Sequence, residues 1–95
     1  SNHDLSNGKI IIMEKVYITK YALTTGILEI EAEIMKSYWD KYPGYVKDEE
    51  GELYYLSKDA FTDEDEAIKK AEEMRKARII SLYKQIDKLD KLRFE

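Results

Sequence analysis

Cysteine is absent from this 95-residue chain, and histidine, tryptophan and proline occur once each. Without cysteine there is no disulfide, no thiolate metal site and no cysteine nucleophile, a composition that suits a reducing cytoplasm. The single histidine, His3, falls in a polar leader, which leaves no Ser–His pair and no histidine general base in the body of the chain. Four glycines are scattered singly, so no glycine-rich phosphate loop is present. The longest apolar run, Ile10 to Met13, falls far short of the roughly 18 residues of a membrane span. A secretory signal is missing as well, because the N-terminus is polar. These absences predict a cytoplasmic, non-enzymatic protein with no cofactor, no metal and no place in a membrane.

What remains is enough for one domain with a single modest core. Hydrophobic residues make up 43% and charged residues 38%, ordinary values for a globular protein rather than a disordered one. Residues 1–12 read as a disordered or vector-derived leader ahead of a natural start at Met13, which places the domain at 13–95. The net charge of −4 is unevenly spread. Residues 62–73 carry six acidic and two basic side chains, whereas residues 74–95 carry seven basic and three acidic. The chain is acidic in front and basic behind.

Lys15 to Tyr21 is rich in β-branched and aromatic residues, which fit a pleated, half-buried surface. Thr24-Thr25-Gly26 signals a turn. After it, Leu28, Ile30, Ala32 and Ile34 alternate with Glu29, Glu31 and Glu33, the period of a strand with one apolar and one acidic face. These two segments predict a hairpin. Ser37 to Tyr45 is aromatic and irregular, with a turn at Pro43-Gly44. Tyr45 to Lys47 and Leu53 to Leu56 predict a second hairpin, joined by a loop of about four residues, Asp48 to Gly51. The sum is a small antiparallel sheet of three or four strands over residues 14–57.

No glycine or proline interrupts Asp63 to Leu92, which predicts one long helix over 62–92. Thr62 is the expected N-cap, its hydroxyl accepting from the Asp65 backbone. Asp63 to Glu66 set negative charge at the positive end of the helix dipole, and Lys84, Lys88, Lys91 and Arg93 set positive charge at the other. Ile68, Ala71, Met74, Ile79, Leu82, Ile86, Leu89 and Leu92 share one broad face. From Ile79 onward the spacing is that of a coiled-coil seam. Some 30 residues span roughly 45 Å, whereas a strand of six to eight residues spans about 20–27 Å. The sheet can cover only half such a helix. Either the helix breaks near Ser81 and folds back, or a second molecule covers it. The favoured expectation is a homodimer through Ile79, Leu82, Tyr83, Ile86, Leu89 and Leu92.

Three other groups bear on chemistry. Glu29, Glu31 and Glu33 suit a solvated sheet face balanced by Lys15 better than a cation site. Arg75 and Arg78 fall within the apolar face, where they either pack their stems and pair with a sheet carboxylate or hold an anion. Eight tyrosines and Trp39 suit core and interface. Stacking of nucleic-acid bases is the alternative, weakened by the acidic sheet.

The run KYALTTGI (residues 20–27) before an acidic alternating strand, the Phe61-Thr62 helix start, AEEMR (71–75) and the ending KQIDKLDKLRFE resemble small proteins carried by phages and mobile elements of gut bacteria. The resemblance covers most of residues 13–95. It implies an intracellular protein of a bacterial host that binds a host factor, and it carries over no activity, cofactor or catalytic residue. The expectation is therefore an α+β interaction module acting on another protein. The alternative is a nucleic-acid-binding accessory protein using the basic stretch Arg75 to Arg93.

Overall fold

The computed structural model describes residues 13–36 and 43–95. The leader (1–12) and most of the aromatic stretch, with Tyr38, Trp39 and Tyr42, lie outside the described residues.

Alternation sets the first two strands. β1 (Met13–Ile18) and β2 (Leu28–Met35) pair antiparallel, with Val16 opposite Ile30 and Ile18 opposite Leu28. Because side chains alternate along a strand, this register puts Val16, Ile18, Ile30, Ala32 and Ile34 on one face. Val16, Ile18 and Ala32 are buried there with Val46, Tyr54 and Ala60. Glu29, Glu31 and Glu33 take the opposite face, where Glu31 stands across from Lys15 and Glu29 pairs with the same lysine at 3.7 Å. The expected turn between the strands is a single helical turn, α1 (Ala22–Thr25). Thr24 and Thr25 both donate their hydroxyls to the Tyr21 carbonyl at 3.1 Å, which holds that turn wound.

The second hairpin forms as expected. β3 (Tyr45–Lys47) and β4 (Leu53–Tyr55) pair antiparallel, with Val46 opposite Tyr54. Asp48 shapes the connection by accepting from the backbone N–H of Glu50 and Glu52, each at 2.9 Å. Gly44 enters β3 at φ +58, and a Cβ there would run into the Met35 carbonyl. Only glycine fits that crossing.

A fifth strand exceeds the three or four that the pattern predicts. β5 (Ala60–Phe61) pairs antiparallel with β1, Ala60 opposite Ile18. The order is β4-β3-β2-β1-β5, and Leu56 bridges Ala60 in parallel. The two outer strands therefore meet, and the meander curls into a small barrel around the core.

The helix α2 runs without a break from Glu64 to Asp90, so the fold-back near Ser81 does not occur. Its N-cap is Asp63, which accepts from the Glu66 N–H at 3.1 Å, rather than Thr62. A carboxylate both caps and meets the positive end of the helix dipole with charge, an advantage the threonine hydroxyl lacks. The helix docks by its first three turns against α1, β5 and β1. Ala67 is buried, and Lys70, Ala71 and Met74 are half-buried. Beyond Met74 the helix leaves the barrel, and the molecule measures 72 × 25 × 24 Å.

Candidate functional site

Two surfaces carry unusual arrangements of side chains. The first lies at the barrel mouth, where the β1–α1 connection meets the Asp48–Glu52 turn. Glu52 accepts from the Tyr21 hydroxyl at 2.6 Å and from the Lys20 ammonium at 2.9 Å. The Tyr54 hydroxyl donates to the other oxygen of Asp48 at 3.0 Å. Lys20 also lies over the Tyr21 and Tyr54 rings, 5.6 and 5.9 Å from their centroids. The donors hold both carboxyls below their ordinary range: Tyr21 then Lys20 act on Glu52, and the Glu52 backbone N–H then Tyr54 act on Asp48. Burial, and then the bond to Asp48, push the Tyr54 phenol up. The hydrogen bond to Glu52 raises Tyr21 and Lys20 in turn.

Beside this cluster is an open groove of about 890 Å³ between β2 and the Asp48–Glu52 turn. Met13, Leu28, Ile30 and Met35 supply apolar lining, and Glu31, Glu33, Glu49 and Glu50 supply acid. Lys20, Tyr21, Asp48, Glu52 and Tyr54 are each committed to a partner within the cluster. The cluster is suited to holding two loops together, and it presents no activated nucleophile or unpaired base. Among the described residues no group of three histidines or carboxylates is placed to hold a metal ion.

The second surface is the outer half of α2. Ile79, Leu82, Tyr83, Ile86, Leu89 and Leu92 are each between 40% and 68% exposed. All six predicted interface residues thus lie beyond the part of the chain that meets the barrel. Ile68, expected to pack on the sheet with Ala71 and Met74, is instead 46% exposed. The docked flank is formed by Ala67, Lys70, Ala71 and Met74, with small residues allowing the helix to approach closely. At about 100° per residue, Ile68 falls a quarter turn away from it, in line with Ile79 and Ile86.

Arg75 and Arg78 do not come together over a sheet carboxylate. Arg75 is exposed and pairs with Glu72 one turn back, which lowers the Glu72 carboxyl and raises the guanidinium. Arg78 is also exposed. The basic side chains Lys84, Lys88 and Lys91 lie on the polar side, where Lys91 pairs with Asp87 at 2.9 Å. Tyr45 and Tyr55 pack with their ring centroids 6.2 Å apart on the barrel, away from this basic stretch. No described helix is long and apolar enough to cross a membrane. Comparison with protein-family models, with curated proteins and with solved structures returns no match.

Proposed function

We propose that the protein is a non-enzymatic interaction module whose small barrel is carried on a helix that associates with a second copy of itself. One observation supports this most: the outer half of α2 is a continuous helix with an apolar seam of Ile79, Leu82, Ile86 and Leu89, each 40–67% exposed. Burial of such side chains contributes about 1.5–3 kcal/mol each, so a partner surface offers them more than water does. The resemblance to phage and mobile-element proteins fits a role in a bacterial host, with the acidic, apolar-lined groove available to a further protein partner. Nucleic-acid binding has less support, because the paired tyrosines and the basic residues lie on separate parts of the molecule.

Sedimentation equilibrium from low to high micromolar concentration tests self-association. A concentration-dependent shift to twice the 11.2 kDa chain mass is expected, abolished in the double variant Leu82→Asp/Leu89→Asp. A strict monomer throughout overturns the proposal. Salt-sensitive binding of DNA or RNA at 50 mM salt, lost when Lys84, Lys88 and Lys91 are changed to glutamate, would establish the alternative.

A further inference from the structure

We infer that the second copy pairs parallel and in register, as a two-stranded coiled coil running from Ile68 to Leu89. This rests on the self-association reading and adds its geometry. Counting Ile79 as position a of a heptad, the a positions are Glu72, Ile79 and Ile86, and the d positions are Ile68, Arg75, Leu82 and Leu89. Isoleucine at a with leucine at d is the combination that packs best in a parallel pair of helices. The stretch covers three heptads, and five of its seven a and d positions are apolar, the four from Ile79 to Leu89 without a break.

Exposure along the helix supports the longer seam. Ile68 lies in the docked half of α2 and is still 46% exposed, because the barrel takes the neighbouring flank. A parallel pair covers Ile68 with its own copy. The antiparallel pair that sets Ile79 on Leu89 and Leu82 on Ile86 leaves Ile68 uncovered, since the opposing helix ends at Asp90 before reaching it.

A charged step interrupts the seam. Glu72 and Arg75 already pair within one chain; in a parallel dimer Glu72 faces its own copy in one layer and Arg75 its own copy in the next, so the like charges are offset by these intrachain pairs and the seam is weaker there. A polar layer of that kind fixes register while lowering stability. The flanking positions bring no like charges together: Arg78 faces Tyr83, and Gln85 faces Asp90. The barrel flank is centred about a quarter turn from the seam, so a two-fold axis along α2 sets the two barrels toward opposite sides of the pair.

The chain contains no cysteine, so one introduced thiol reports pairing directly. Three single variants are made: Arg75→Cys, Arg93→Cys, and Lys84→Cys on the outer face. In a glutathione buffer, Arg75→Cys is expected to form its homodimeric disulfide on the order of a hundredfold faster than Lys84→Cys, through the raised effective concentration of facing thiols. A dimer mass with equal rates for the two variants overturns the seam. A dimer mass with rapid mixed disulfides between Arg75→Cys and Arg93→Cys, and slow ones for Arg75→Cys alone, overturns the parallel orientation while leaving self-association standing. A trimer or tetramer mass overturns the two-stranded geometry. A strict monomer with no disulfide removes the self-association reading itself.

Discussion

Truncating Leu89 separates the association energy of α2 from the stability of the barrel. Leu89 is 67% exposed in the single chain and lies well beyond the docked turns. Full burial of a leucine contributes about 1.5–3 kcal/mol, so covering its exposed two-thirds is worth about 1–2 kcal/mol. A symmetric dimer contains the residue twice, which brings the cost of Leu89→Ala to about 2–4 kcal/mol. At about 1.4 kcal/mol per tenfold, Kd should rise roughly 30- to 700-fold. Sedimentation velocity over a concentration series measures that rise directly. Thermal unfolding of the dilute, monomeric protein should barely change, because Leu89 contributes little to the core. Met74→Ala is the contrasting variant: half-buried against the barrel, it should lower the dilute melting temperature and leave Kd within a few-fold. A Kd changed less than about threefold by Leu89→Ala, or a dilute melting temperature lowered as much as by Met74→Ala, would refute the reasoning.

Three further outcomes are expected. Asp63→Ala should cost about 1 kcal/mol in a urea titration through loss of the cap, whereas Thr62→Ala should cost no more than a few tenths; equal effects would return the cap to Thr62. Gly44→Ala should destabilise by at least about 1–2 kcal/mol from backbone conformation alone, before the clash with the Met35 carbonyl is counted. Near-wild-type stability of that variant would mean that the β2–β3 crossing has room for a side chain after all. Acid should weaken the fold through Asp48 and Glu52, whose folded-state carboxyls sit below their ordinary values. Their contribution is present above about pH 4 and disappears as pH falls through the depressed values. The variant Asp48→Asn should flatten that arm of a stability-versus-pH curve, and an unchanged arm would count against the network. At the other extreme, Tyr21 and Tyr54 are raised, so the stability they contribute is intact below about pH 10 and lost as pH climbs through their folded values.

Local signals in the sequence carry much of this fold. An uninterrupted run from Asp63 to Leu92 with opposite charges at its ends can be little else than a helix, and the Leu28–Ile34 alternation by itself orients β2. Boundaries are less legible where two residues compete for one job. Thr62 and Asp63 both cap well, and only the geometry leaving β5 selects the second. The fifth strand is two residues long, too short to show a period, and exists because Ile18 and Leu56 sit on either side of it. The barrel-mouth network is hidden for a related reason. Tyr21 and Glu52 are 31 residues apart, and nothing near either one announces the other. The packing flank of α2 is misplaced by hydrophobicity alone, which ranks Ile68 above Ala67. Close approach to the barrel favours the smaller side chain, and the isoleucine is turned outward.

The projecting half of α2 also has a thermodynamic consequence. Isolated helices shorter than about 12–15 residues are marginal in water, and tertiary contact is what usually holds them. From Arg75 to Asp90 the helix stands clear of the barrel, so its winding in a lone chain depends on continuity with the docked turns, on propensity and on pairs such as Lys91–Asp87. The proposed pairing would add to the winding of this segment in each copy. On that proposal, ellipticity at about 222 nm, the helical band, is expected to rise with protein concentration, and amide protons between Arg75 and Asp90 are expected to exchange more slowly in concentrated than in dilute solution.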